Sequence, residues 1–265
     1  MRSTLVVSTL VLLYTSTEVL TTNLYKTFSK NMLEKRTTGN KNFTTLINLL
    51  RERQTFLEEI RQGVRLPTKI ISLLVCSSLF LAIYGGIIGA YHSWMQALSS
   101  AVKLPALYLL TLLICLPTLY FSNIIFGSKR SFPQHFALVL TAVSVISVLL
   151  FSFAPITLFF LITTNNYQFL ILLNVIIFSL TGFIGISSLN QAAKIVLEQD
   201  GEGSDVRRKI IRSWLLLYAF VGSQLGWTLR PFFGTPDSPF QLFREREGNF
   251  YLSVLQSIMY LLGFR

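Results

Sequence analysis

Five apolar runs constrain this chain more than any other feature. They lie at about Ile70–Tyr91, Leu104–Phe126, Phe136–Leu161, Tyr167–Ser188 and Ile210–Leu229. A helix rises about 1.5 Å per residue and a bilayer's hydrocarbon core is about 30 Å thick, so each run is long enough to cross. A soluble core cannot hide this much apolar surface. Of the 265 residues, 52% are hydrophobic and 13% are charged, against about 25% charged in soluble domains. The fold class that follows is all-α: a polytopic transmembrane helical bundle of five spans plus a short C-terminal interfacial helix, in contact with the lipid bilayer.

The runs divide the chain into three regions: 1–69, 70–229 and 230–265. The first region opens with Thr4–Tyr14, an apolar stretch after Arg2 that is too short to span. It resembles a signal-peptide core, but Ser16-Thr17-Glu18 is a poor cleavage site, so it is expected to stay as a retained segment. From Lys26 to Lys69 the chain carries ten Lys or Arg. Within it, Phe43–Ile60 has amphipathic spacing, with Leu46, Leu49, Leu50, Phe56, Leu57 and Ile60 on one side and Arg51, Arg53 and Glu58 on the other. Such a helix either lies flat at the membrane interface or packs on the membrane domain.

Lysine and arginine counts set the orientation. The segment before the first span has ten besides Arg2, the first loop has Lys103, and the second has Lys129 and Arg130. The third loop has none, and the fourth has five: Lys194, Arg207, Arg208, Lys209 and Arg212. The rule that basic loops stay inside then places the N-terminus on the cytoplasmic or equivalent side. Five spans put the C-terminus on the opposite side, although the tail carries Arg230, Arg244, Arg246 and Arg265. The net charge of +11 reads as topology and headgroup attraction. No recognition motif for nucleic acid accompanies it.

The span interiors hold almost no ionisable residue; Asn123, Asn174, Gln224, hydroxyls and tyrosines are the polar groups. This argues against an ion-driven pump, which needs buried carboxylate, histidine or lysine. His92 and His135 fall at opposite ends of spans, so they cannot share a site. No catalytic motif, phosphate loop or cysteine pair appears, with Cys76 and Cys115 each inside an apolar run. No cofactor, no metal and no enzymatic activity are expected.

Small residues mark helix contacts. Gly85 and Gly89 form one close-spaced pair, Gly182 and Gly185 a second, and Gly222 and Gly226 a third. Without a Cβ, backbones approach closely, either within the bundle or between subunits. Pro105 is expected to open the second span, while Pro117 and Pro155 fall inside spans.

The tail, Gly222–Tyr251, ends an apolar run at Arg230-Pro231 and then mixes turns, charges and phenylalanines. Proline disfavours helix in the residue before it. Trp227 suits the aromatic belt. Arg230, Phe232, Phe233, Asp237, Phe240, Arg244, Glu245 and Arg246 are the candidate residues of an ordered cap that docks a protein partner or closes the bundle mouth. Phe250–Phe264 reads as a re-entrant or interfacial helix.

The stretch FLEEIRQGVRLPTKIISLLVCSSLFLAIYGGIIG, from Phe56, resembles the first-span region of Yip-type membrane proteins. KLPALYLLTLLICLPTLYFSNIIFGS, from Lys103, is similar to their second span, with a lysine-proline start and a second proline, and the late APITLFF to their third. The resemblance covers roughly half the chain, Phe56 to Val196. It implies five spans and a cytoplasmic N-terminus, with mostly no assigned activity among bacterial members. Members of the eukaryotic branch are linked with small GTPases and membrane traffic, a role that fold alone does not transfer.

The function expected from these residues is that of a non-catalytic membrane scaffold or accessory subunit. Its partner would be another membrane protein or a second copy of itself. A passive channel or small-molecule permease is the alternative from another class.

Overall fold

A computed structural model of the chain describes residues 42–125, 128, 130–164, 166–197, 204–234, 242–243 and 259. Among them every regular element is helical. The chain divides into two compact units, Met1–Thr44 and Thr45–Arg265. Residues 42–51 form α1. It is followed by α2 (Arg53–Arg61), α3 (Leu66–Gly89), α4 (Trp94–Ile125), α5 (Phe132–Thr163), α6 (Tyr167–Leu197) and α7 (Ser204–Leu229). The expected segments Thr4–Tyr14 and Phe250–Phe264 lie outside the described residues, apart from Met259.

Among the described residues four helices, α3 to α6, are long and apolar enough to cross a membrane. The fifth expected span corresponds to α7, which is not among the four. Its first turns carry Arg207, Arg208, Lys209 and Arg212, and its later turns Gln224. The outward faces of the spans expose large apolar side chains, among them Leu113, Phe121, Phe159, Ile162 and Phe183. Lipid tails, unlike water, solvate such a surface at no loss. The chain therefore has the form of a multi-pass integral membrane protein.

Local chemistry sets the helix ends. Arg65 adopts a left-handed backbone (φ 51°) ahead of α3, where Pro67 fits a first turn whose N–H groups have no helical partner. At the start of α5, Gln134 Oε1 accepts the Ser131 backbone N–H at 2.7 Å, the returning arm of a capping box. In α4 the expected boundary moves. The helix begins at Trp94, ten residues before Leu104, and the Ser93 hydroxyl accepts the Gln96 N–H at 3.2 Å. Lys103 is therefore not in a loop, and Pro105 lies inside the helix rather than opening it. The reason is tertiary: Lys103 finds its partners far along the chain, as described below.

Packing follows the small and apolar faces. α3 lies between α4 and α5, α5 also holds α6, and α7 runs along α4 and touches α6 only lightly. A Cβ on Gly85 would stand 2.4 Å from Ser100 O, and one on Gly89 2.5 Å from Gln96 O, so α3 and α4 meet backbone to backbone. Gly185 faces a side chain of α5 instead: a Cβ on it would stand 2.4 Å from Ile146 Cγ1. α5 is buried almost continuously from Ala137 to Ser144. Its hydroxyls from Thr141 to Ser147 bond to carbonyls of the same helix. Thr141 donates to Leu138 O at 2.7 Å, Ser144 to Leu140 O at 2.9 Å and Ser147 to Ser144 O at 2.8 Å.

The expected amphipathic helix is present with a break at Glu52, whose backbone leaves the helical region (φ -117°, ψ 49°). Leu46, Leu49, Phe56, Leu57 and Ile60 are buried, whereas Leu50 is exposed. Of the two arrangements that the pattern allows, α2 takes the second: it packs on α5 and α6.

Candidate functional site

Both ends of the bundle are closed by side chains that bond to main-chain carbonyls, and the two closures are built differently. At the first end, α2 stops against the start of α5. The turn beyond it supplies the N–H groups of Gln62, Val64 and Gly63 to the Glu58, Glu59 and Ile60 carbonyls, and neighbouring side chains complete the closure. Gln134 Nε2 donates to Arg61 O at 2.6 Å and to Ile60 O at 3.2 Å. Arg130 adds a bond from Nη1 to Arg61 O at 3.2 Å and one from Nε to Val196 O at 3.1 Å. One arginine thus ties the ends of α2 and α6 together. From within α2, Arg53 Nη2 reaches Ser188 of α6, donating to its O at 2.5 Å and its Oγ at 2.7 Å. Burial there lowers the Arg53 pKa from its ordinary value. Glu59 and Lys69 form an ion pair at 2.6 Å that joins α2 to α3, with the ammonium also 4.8 Å from the Phe56 ring.

At the opposite end, the segment after α7 folds back across the start of α4. Gln96, Ser100 and Lys103 follow one another at i, i+4 and i+7, so they line one face of α4. All three are buried. Ser100 Oγ donates to Phe232 O at 2.5 Å and Gln96 Nε2 to Pro231 O at 2.6 Å. Lys103 Nζ donates to Leu242 O and, at 3.4 Å, to Pro231 O. Its ammonium also lies 5.0 Å from the centre of the Phe243 ring. Among the described residues no carboxylate pairs with it. Non-helical backbone near a membrane must have its carbonyls satisfied inside the protein. This stripe of donors does that for the returning segment.

Arg230 stacks over Trp227, its guanidinium 3.4 Å from the ring centre. Phe232 and Phe233 are half-buried and pack against the hydrophobic core. Gly234 has a left-handed backbone (φ +72°), and a Cβ on it would meet His92 Cγ at 2.6 Å, so only glycine fits that crossing. Asp237, Phe240, Arg244, Glu245 and Arg246 lie outside the described residues. Gly222 and Gly226 face α4 at ordinary contact distance, 3.6 Å from Thr111 and 4.0 Å from Leu107. Two side chains of α7 bond to α4 carbonyls: Trp214 Nε1 to Cys115 O at 2.8 Å and Tyr218 OH to Tyr108 O at 3.4 Å.

Between the ends, one polar cluster crosses the bundle. Tyr84 OH of α3 donates to Asn174 Oδ1 of α6 at 2.8 Å and lies 3.2 Å from Thr157 Oγ1 of α5. Asn174 Nδ2 returns to Leu170 O at 3.0 Å. The cluster therefore links three helices and fixes the Asn174 amide. Sequence reasoning did not find it, nor the Gln96–Ser100–Lys103 stripe, nor the Arg130–Gln134 pair. Only the stripe has a local signal: three polar residues on one face of an otherwise apolar helix. His92 and His135 sit at opposite ends, as the sequence requires. Among the described residues no group of three His, Cys, Asp or Glu side chains is placed to hold a metal ion.

Set against protein-family descriptions, curated proteins and solved structures, the chain matches none. The likeness to Yip-type membrane proteins thus rests on the residues quoted above.

Proposed function

We propose that the chain is a non-catalytic integral membrane scaffold or accessory subunit that binds another membrane protein, or a second copy of itself, within the bilayer. One observation supports it above others. The glycine faces differ in what fills them. Gly85 and Gly89 are pressed on α4, Gly185 on α5, and Gly222 and Gly226 face α4. Among the described glycines, Gly182 alone has nothing within 4 Å of an added Cβ. It sits on α6 beside the exposed Leu180, Phe183 and Ile184. A partner helix that enters this notch gains close dispersion contacts that lipid tails do not supply. The tail residues Asp237, Phe240, Arg244, Glu245 and Arg246 are the second proposed contact.

The proposed topology has α7 as a fifth crossing. It puts the N-terminal region on the cytoplasmic or equivalent side and the C-terminus on the other. The placement of α2 at the α4–α5 connection and of Pro231 and Phe232 at the start of α4 supports it. So does the excess of basic residues before α3.

Affinity purification of the full chain in mild detergent, followed by native mass spectrometry, tests the function. A stoichiometric membrane partner or a homo-oligomer is expected, and Gly182→Leu should abolish it while leaving the fold intact. A wild-type chain that is always a lone monomer would overturn the reading and favour a permease, to be tested by flux into liposomes.

A further inference from the structure

We propose that the outer face of α7 is a binding site for an anionic phospholipid, with Lys209 and Arg212 on the headgroup phosphate and Leu216 and Phe220 along an acyl chain. The four residues follow one another at i, i+3, i+7 and i+11, so they line one face of the helix. All four are exposed. The opposite face is fixed. Ile211, Trp214 and Leu215 are buried, and the bonds from Trp214 to Cys115 O and from Tyr218 to Tyr108 O set the rotation of α7 on α4. α6 touches α7 only lightly. The outer face is therefore turned away from the bundle.

Depth follows from the same bonds. Cys115 and Tyr108 lie within α4, a helix long and apolar enough to cross a membrane. Leu216 and Phe220, each two residues beyond Trp214 and Tyr218, thus stand at the level of acyl chains. Lys209 is seven residues before Leu216, about 10 Å along the axis, and its long side chain can extend further toward the headgroups. Other basic residues at this end are engaged within the protein: Arg53 by Ser188, Lys69 by Glu59, and Arg130 by the Arg61 and Val196 carbonyls. Among the described residues no carboxylate pairs with Lys209 or Arg212. Their counter-charge comes from outside the bundle. A lipid phosphate matches them, because a guanidinium offers it two parallel N–H bonds and an ammonium a point charge. Phosphatidylcholine brings its own cation to its phosphate, whereas an anionic lipid leaves a charge for these two residues to balance. The site therefore selects anionic over zwitterionic lipid.

The test is lipid retention by the full chain in a neutral detergent, read by native mass spectrometry. Phosphatidylglycerol and phosphatidylcholine with the same acyl chains are added together. The unchanged chain should retain phosphatidylglycerol in preference. Lys209→Gln with Arg212→Gln should weaken that retention by about 30-fold, since each basic residue near a lipid surface contributes roughly fivefold. Arg51→Gln with Arg65→Gln removes the same charge from exposed positions before α3 and should leave retention as it was. All four changes are at exposed positions, so the packing of α7 on α4 stays in place. Inorganic phosphate in excess should not displace the lipid, because the acyl chain also holds it on Leu216 and Phe220. Equal retention of the two lipids, no loss in the Lys209→Gln, Arg212→Gln chain, equal losses in the two double variants, or release by phosphate would each overturn the site.

Discussion

The contact of α3 with α4 gives the sharpest quantitative expectation. Alanine normally stabilises a helix relative to glycine by about 0.8–1.0 kcal/mol. At Gly85 that gain meets a collision, since the new Cβ would stand 2.4 Å from Ser100 O and 2.9 Å from Ser100 C. Ordinary carbon contacts lie at about 3.5–4.0 Å, so the two helices must separate by roughly 1 Å. The obstacle is backbone, which cannot turn aside as a side chain does. Overpacking of this kind costs about 1–3 kcal/mol. Ser100 also carries the 2.5 Å bond to Phe232 O, so the shift strains the returning segment too. Gly85→Ala should therefore destabilise the bundle by about 1 kcal/mol net of the helix gain, with a ceiling of about 2 kcal/mol. Two internal controls are built into the same chain. At Gly86 the nearest atom would be Ala101 Cβ at 3.8 Å, and at Gly182 nothing lies within 4 Å. Alanine at either should be neutral or stabilising by up to about 1 kcal/mol. Reversible unfolding of the purified protein in micelles, followed by circular dichroism, measures all three. Equal stability of the Gly85→Ala and Gly182→Ala chains would refute the close α3–α4 contact.

Other expectations follow from the same geometry. Tyr84→Phe removes both bonds of the central polar cluster and should lower stability by about 0.6–1.7 kcal/mol, the range for interhelical bonds in membranes, read by the same unfolding assay. No loss would mean that the Tyr84 hydroxyl does not bridge α5 and α6. Gln134→Leu removes one donor from each of the Ile60 and Arg61 carbonyls at the end of α2, which among the described residues keep only the Gly63 N–H and Arg130. Amide exchange in α2 should then rise by about tenfold, from roughly 1–2 kcal/mol of lost local stability, with α3 unaffected. Unchanged exchange would show that α2 does not depend on this closure. Trp214→Phe keeps the apolar ring and loses the bond to Cys115 O. It should loosen α7 from α4 by about 1 kcal/mol, seen as faster exchange in α7 alone.

Much of this fold was legible in the residues, and the parts that were not share a cause. The runs that became α3, α5 and α6 declare themselves by length and hydropathy, because lipid imposes one requirement on every span. The start of α4 did not. Lys103 looked like a loop residue since a lysine inside an apolar run is costly. What removes the cost is the carbonyls of Pro231 and Leu242, 128 and 139 residues away, which no local pattern announces. The amphipathic spacing of α2 was legible, but its destination was not. A face of leucines suits a lipid surface and a protein surface equally, and the choice depends on Gln134 of α5 and on Arg130 just before it. Glycine spacing picked out the positions of close approach. It could not say that Gly85 meets a neighbouring helix while Gly182 meets nothing. Turns were expected in the tail after Arg230-Pro231, and the structure adds His92 as the reason that glycine is needed at position 234.

The most direct test of the whole account is the sidedness of the two closures. Single cysteines at Thr55, exposed on α2, and at Leu242, exposed beside the returning segment, would replace the native thiols in otherwise cysteine-free chains. Each would be probed with an impermeant reagent in sealed, uniformly oriented vesicles. The account predicts that the two positions label from opposite sides of the membrane, because in the proposed topology α7 crosses it and carries the C-terminal segment to the far side. Labelling of both from the same side would mean that α7 does not cross, and would contradict the five-helix arrangement on which the proposed scaffold rests.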